Sequence, residues 1–336
     1  MNLSLPDLLP RSNLFLPFPP FGEREIKIGS HARRAGAEVK RLLSSPSLSG
    51  KVLAHLPGIL YLTTDQEDLF WVSVEPFPMH RRCLQVSYLP LPHLVRSGER
   101  FQLRGSALGI GSSFFIGLSS YTEWASASVY KKKPRLLAEL WLCGKMLNRH
   151  ITRLNSAKGL GQALPLILAM AEEEEGPPLS ADSVWERMLT PLLGVAKACL
   201  RRDLDAVLGE GENLAGLGPG LTPSGDDFLG GLFFMLHSLN SAYPEKFPWN
   251  QERIIDFIGR AKSKTHPLSH AFLNDFASGH APAPFHEVVR ALIFGDLGEA
   301  FSAAASCIGL GHSSGWDVLS GLLTGMLMVP TNQLHS

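Results

Sequence analysis

Residues 216–237 constrain this chain more than any other stretch. They read Gly-Leu-Gly-Pro-Gly-Leu-Thr-Pro-Ser-Gly-Asp-Asp-Phe-Leu-Gly-Gly-Leu-Phe-Phe-Met-Leu-His. The first half is excluded from a helix: Gly216, Gly218, Pro219, Gly220 and Pro223 supply turn chemistry and tolerate positive φ. The second half, residues 228–236, is apolar on every side, and a helix of that kind is buried. A glycine-rich loop therefore feeds the first turn of a core helix. Such an end presents unpaired N–H groups and a partial positive charge, which together suit an anion.

The same grammar returns ninety residues later. Ser224-Gly225-Asp226-Asp227-Phe228-Leu229-Gly230-Gly231-Leu232 aligns with Ser314-Gly315-Trp316-Asp317-Val318-Leu319-Ser320-Gly321-Leu322, sharing S-G-x-D-x-L-x-G-L. The repeat predicts two related buried helices with both starts on one site. Ser224/Asp227 and Ser314/Asp317 each fit a Ser-x-x-Asp capping box, so capping alone accounts for those four residues. Capping leaves Asp226 unexplained, because Trp316 replaces it in the second copy. If Asp227 caps, Asp226 faces the loop, about 100° away around the helix. An ionised Asp beside N–H donors suits either Mg²⁺ or an amide NH₂ group. Two carboxylates also repel the anion that the loop would bind, and either partner relieves that repulsion. The alternative is two first-turn acids that merely stabilise a helix. The reading names Asp226 and Asp227 for chemistry. Gly218, Gly220, Thr222, Ser224, Gly225, His312, Ser313, Ser314, Gly315 and Asp317 are named for anion binding.

The pair GLGPGLTPSGDDFLGG and GHSSGWDVLSGL, in that order, resembles a bacterial family that includes AllH, a subunit of oxamate carbamoyltransferase. The resemblance implies a cytoplasmic transferase subunit working with other carbamoyltransferase subunits. Such an enzyme cleaves oxalurate with phosphate to oxamate and carbamoyl phosphate, in the breakdown of allantoin. The resemblance assigns no catalytic residue. A different class stays open: a non-catalytic scaffold whose loop recognises a small carboxylate or phosphate metabolite.

The rest of the chain bounds these readings. With 336 residues, two domains are expected. Net charge is zero, which argues against a general nucleic-acid or anionic-membrane binder. Cys83, Cys143, Cys199 and Cys307 are widely spaced, form no C-x-x-C pair, and fit a reduced, cytosolic protein. The first residues make a poor signal peptide, and the apolar run 318–329 is too short and too interrupted to span a bilayer. No histidine has zinc-helix spacing, and the loop is neither a Walker A nor a dinucleotide fingerprint. Ser224 does not lie in a nucleophile elbow.

The predicted fold class is α+β. A Pro-rich segment and a short helix (28–43) occupy residues 1–50, with Phe15, Phe18 and Phe21 positioned to pin the segment to a surface. Short β-rich runs over 51–130 read as a small antiparallel barrel or sandwich. Residues 131–336 read as helical, with one long helix capped by Ser180 and running through Val207. The cations of 260–266 read as a helix C-terminus. Limited proteolysis should nick residues 131–135 or 172–178, where charge and proline cluster. Cutting inside the β-rich region, with both of these places intact, would overturn the boundary.

Overall fold

In the computed structural model, which describes residues 28–125, 133–154, 157–174 and 183–330, the short N-terminal runs close on themselves. The strands are β1 (Ile28–Gly36), β2 (Ser49–Leu56), β3 (Ile59–Thr64), β4 (Leu69–Ser73), β5 (Cys83–Val86), β6 (Arg100–Arg104), β7 (Ala107–Ile110) and β8 (Phe114–Gly117). They pair in the order β5-β4-β3-β2-β6-β7-β8-β1, and β1 pairs back to β5, so eight strands form a barrel. A ninth, β9 (Thr122–Trp124), runs parallel to β1. Alternation explains the closure: β6 is buried only at Phe101 and Leu103, and one face of each strand fills the interior with residues such as Leu60, Leu108, Ile110 and Ile116.

Two expectations are corrected here. Residues 28–36 form a strand; only α1 (Ala37–Leu43) is helical. The run Ile-Gly-Ser-His-Ala-Arg-Arg-Ala-Gly has a helix-tolerant middle, but closure requires a strand between β8 and β5, and that pairing overrides local propensity. Gly36 is required at its end, since a Cβ there would lie 2.2 Å from the His80 carbonyl. The barrel is also mixed rather than antiparallel, because β1–β8 and β4–β5 pair in parallel.

The helical half comprises α2 (Leu137–Thr152), α3 (Leu164–Glu172), α4 (Ser183–Leu200), α5 (Leu204–Gly211), α6 (Ser224–Ala242), α7 (Gln251–Ala261), α8 (Pro267–Ala277), α9 (Ala283–Phe294), α10 (Leu297–Ile308) and α11 (Ser314–Gly325). The long helix expected through Val207 breaks after Leu200. Arg202 turns to φ 57°, and Asp203 caps α5 by accepting the Ala206 N–H at 3.0 Å. Ser180, the three N-terminal phenylalanines, Lys131 and Lys132 lie outside the described residues. Among those residues no helix is long and apolar enough to cross a membrane.

α6 and α11 form the centre of this half. Residues 224–236 of α6 and 315–325 of α11 are buried throughout. They touch along their backbones: a Cβ on Gly231 would lie 1.9 Å from the Val318 carbonyl, and one on Gly321 would lie 1.8 Å from the Phe228 carbonyl. Each pair is the ninety-residue equivalent of the other, so the sequence repeat is a local two-fold in space. Ser320 and Thr324, buried in α11, donate back to the Trp316 and Ser320 carbonyls at 2.7 and 2.8 Å, so their hydroxyls are satisfied within the helix.

The barrel docks on α8. Trp71 of β4 clusters with His80 and Phe272, each ring centroid 4.9 Å away, and those two rings are 5.6 Å from each other. Beside it Arg82 donates to both carboxylate oxygens of the buried Asp275, with Nη2–Oδ1 at 3.0 Å. The Ala283 N–H also donates to the Met79 carbonyl at 2.9 Å, which fixes the start of α9 against the barrel.

Gly231→Ala and Gly321→Ala should each destabilise the protein by about 1–3 kcal/mol, because no side chain but a backbone carbonyl must give way. Gly259→Ala is the control: nothing lies within 4 Å of its added methyl, and a gain of roughly 0.5–1 kcal/mol is expected. Denaturant melts that rank all three variants alike would refute the backbone contact.

Candidate functional site

The two helix starts converge, as the repeat predicts. The loop before α6 reaches across to α11, where the Thr222 and Ser314 hydroxyls are 3.3 Å apart. Three positive-φ glycines shape that loop: Gly216 at 78°, Gly218 at 122° and Gly220 at 95°. At Gly218 a Cβ would also lie 2.6 Å from the Ser224 nitrogen. The Gly225 N–H donates to the Leu217 carbonyl at 2.9 Å, and the Gly315 N–H donates to the Leu310 carbonyl at 3.0 Å. These equivalent closures show that the first loop is the longer by three residues.

Neither capping box forms. The residues before the helices are Pro223 and Ser313, no side chain caps either start, and Ser224 and Ser314 are already helical. The loops close on the main chain instead, which leaves the serine and aspartate side chains free to meet across the two-fold. Ser314 and Thr222 hydroxyls adjoin Asp227, while Ser224 and Ser313 hydroxyls adjoin Asp317. Each aspartate therefore faces the other helix's serine.

The two carboxyls are buried and incompletely satisfied. Asp317 Oδ1 accepts the Leu160 N–H at 2.6 Å, but Oδ2 of Asp317 and Oδ2 of Asp227 have no hydrogen-bond partner among the described residues. Burial pushes Asp317 up to about 6. Burial also drives Asp227 well above the ordinary carboxylate range, and the neighbouring Asp317 and Asp226 charges push the same way. The pair is thus split: the protonated form is favoured far more at Asp227 than at Asp317, which is largely ionised at neutral pH.

Asp226 sits differently from its expectation. Its Oδ1 accepts the Gly216 N–H at 2.7 Å, and its Oδ2 accepts the hydroxyls of Ser269, at 2.7 Å, and of Thr265. It ties the loop to the start of α8 instead of facing an open cavity. With both oxygens so engaged, it is poorly placed for Mg²⁺, and no group of three or more His, Cys, Asp or Glu suited to a metal occurs among the described residues. Trp316, its counterpart, packs against Gly161. His312 is exposed at the rim, and its charge when protonated favours the ionised form of Asp317.

Sequence reasoning missed four contributors. Tyr61 of the barrel stands close enough for the Asp227 charge, together with burial, to raise its phenol pKa. The Leu160 N–H comes from a 3-10 turn, Gly159–Ala163. Thr265 and Ser269 hold Asp226. Only Thr265 lay in a stretch the sequence marked, the cationic 260–266. There Arg260 pairs with Glu212 at 2.8 Å and the His266 ring accepts the Leu268 N–H at 3.1 Å, so both are structural.

The architecture defines an α+β protein in which a duplicated helix start forms a buried carboxyl pair walled by a barrel. The segment carrying that pair is similar to a known family: the model described as oxamate carbamoyltransferase subunit AllH matches residues 214–326, about a third of the chain. The match begins before the glycine-rich loop and ends just after α11. No solved structure matches the chain.

The carboxyl pair makes stability depend on pH in a definite direction. A raised folded-state pKa means the folded protein holds a proton that the unfolded chain has lost, so stability falls as pH rises from about 4 through about 6. Asp317→Asn keeps the Leu160 contact and removes the buried charge. It should melt above the parent at pH 8, with the gap closing below pH 5. A gap independent of pH would show that Asp317 does not titrate in this window.

Proposed function

We propose that the chain is a subunit of an oxamate carbamoyltransferase and that the paired helix starts bind the carbamoyl end of the metabolite. One observation carries this reading. The two unpartnered carboxyl oxygens lie at adjoining helix starts inside the segment that matches the AllH family. A carbamoyl group presents a C=O acceptor and an NH₂ donor on neighbouring atoms. The split pair is its complement: neutral Asp227 donates and ionised Asp317 accepts. The dipoles of α6 and α11 add a favourable field at their starts for a phosphate or carboxylate oxygen.

The proposed reaction is cleavage of oxalurate by phosphate. A phosphate oxygen attacks the carbamoyl carbon, the bond to the oxamate nitrogen breaks, and that nitrogen takes up a proton as carbamoyl phosphate forms. The Asp227 proton and the helix-start dipoles stabilise the oxyanion that develops on the carbamoyl oxygen. Asp226 serves this chemistry by holding the loop. Gly218, Gly220, Thr222, Ser224, Gly225, Ser313, Ser314 and Gly315 shape the anion cradle, with His312 at its mouth. The pathway is allantoin breakdown, the partners are the other carbamoyltransferase subunits, and the setting is the cytoplasm, which suits four free cysteines.

The test is reconstitution with the partner subunits, following carbamoyl phosphate formation from oxalurate and phosphate. Asp227→Asn should lower turnover about 100-fold or more, in the range seen when one oxyanion donor is removed, while the protein still melts cooperatively. Asp226→Asn should instead lower the melting temperature, because the oxygen that accepts the Thr265 and Ser269 hydroxyls becomes an NH₂ donor. Full turnover by the Asp227 variant would sink the assignment. Transfer that proceeds without this chain, while the chain still binds oxalurate, would make it the non-catalytic binding subunit.

A further inference from the structure

A separate cavity lies elsewhere, between the barrel and the far half of α6, and has a volume of about 680 Å³. Its walls include Arg81 and Trp124 from the barrel side, Phe234 and His237 from α6, His280, and His286 from α9. His237 is ten residues beyond Asp227, so the cavity is about 15 Å along the helix from the carboxyl pair. The proposed carbamoyl chemistry uses none of these three histidines.

Contacts fix what the rings can offer. His286 Nε2 accepts the Ala281 N–H at 3.1 Å, so the neutral ring carries its proton on Nδ1. The same ring meets Phe234 edge-on at 4.9 Å. Gln251 Nε2 lies 3.3 Å from His237 Nδ1 and also donates to the Ala277 carbonyl. The half-buried His280 ring has no hydrogen-bond partner among the described residues. Burial holds all three below the usual imidazole range, His286 at about 4, so they are neutral at physiological pH.

The cavity is thus polar without being charged. Arg81 is matched by Glu38 at 3.1 Å and Asp275 at 3.7 Å. Its charge is therefore met by two carboxylates, although its buried Nε has no hydrogen-bond partner among the described residues. An aliphatic chain would bury imidazole nitrogens without partners, at a cost. Beyond the histidines, Arg81 and the hydroxyls of Ser238, Ser241 and Ser278, the walls are apolar, with Val289, Ile293 and Phe294 along α9 and Ala242 at the end of α6. Neutral donors and acceptors at one end, and aromatic and aliphatic walls at the other, are the composition of a small-molecule pocket, and the volume falls within the usual range of about 300–1,000 Å³.

We propose that this cavity binds an uncharged, planar nitrogen heterocycle of nucleobase to nucleoside size. The edge of the heterocycle pairs with His280 and with the Nδ1–H of His286, and its faces lie against the aromatic side chains. This proposal is independent of the carbamoyltransferase reading, since it shares no residue with the carboxyl pair.

Calorimetry on the full chain tests it with adenine, adenosine and adenosine 5′-monophosphate as probes. Adenine or adenosine should bind, and the monophosphate should bind no tighter than adenosine. His280→Ala and His286→Phe should each weaken binding about tenfold, the worth of one hydrogen bond, and the phenylalanine keeps a ring against Phe234. Asp227→Asn should leave this binding unchanged, which separates the two sites. The proposal is overturned if neither adenine nor adenosine binds at millimolar concentration. It is equally overturned if the monophosphate binds more than tenfold tighter than adenosine, or if both histidine variants bind like the parent.

Discussion

The backbone contact between α6 and α11 is the constraint on which the rest depends. Two helices approach this closely only where neither carries a side chain at the crossing, and Gly231 and Gly321 meet that condition reciprocally. The close approach brings the first turns within reach of each other's hydroxyls. It also buries both first-turn aspartates, and burial sets their protonation. A methyl group at either glycine would move the helix starts apart, so the packing and the chemistry of the site share one cause.

The two-fold is broken in two places, and both breaks serve the first copy. Asp226 replaces the tryptophan of the second copy and anchors the loop through Gly216, Thr265 and Ser269. The first loop is also the longer, and it carries Thr222 to the facing helix. A symmetric frame thus holds an asymmetric pair of carboxyls, one far above its ordinary pKa and one raised only to about 6. Keeping two buried carboxyl oxygens without partners costs stability, and such a cost is typical of a site shaped for a ligand.

The barrel supplies what the helices lack. Tyr61 lies within electrostatic reach of Asp227, and the Arg82–Asp275 contact with the Trp71–Phe272 ring pair fixes the barrel against α8. α8 in turn holds Asp226 through Ser269. The barrel therefore acts on the loop through one intervening helix. The same docking leaves a cavity where α6 and α9 face the barrel's β9 edge.

The sequence by itself determined the barrel-then-helices order, the burial of α6 and α11, their close approach, and the convergence of their starts. These follow from alternation, all-round apolarity and a repeated motif, which are local signals. It misjudged residues 28–36, because a strand that closes a barrel is chosen by its partners and not by its own propensity. It also gave Asp227 a cap and Asp226 an open face, since a capping box and a first-turn acid read alike in one dimension. Only the tertiary structure decided which carboxyl is fully hydrogen-bonded and which is left with a free oxygen. That depends on donors at Gly216, Leu160, Thr265 and Ser269. Most of these groups are main-chain or hydroxyl donors far away along the chain, and they have no residue pattern that sequence spacing could reveal.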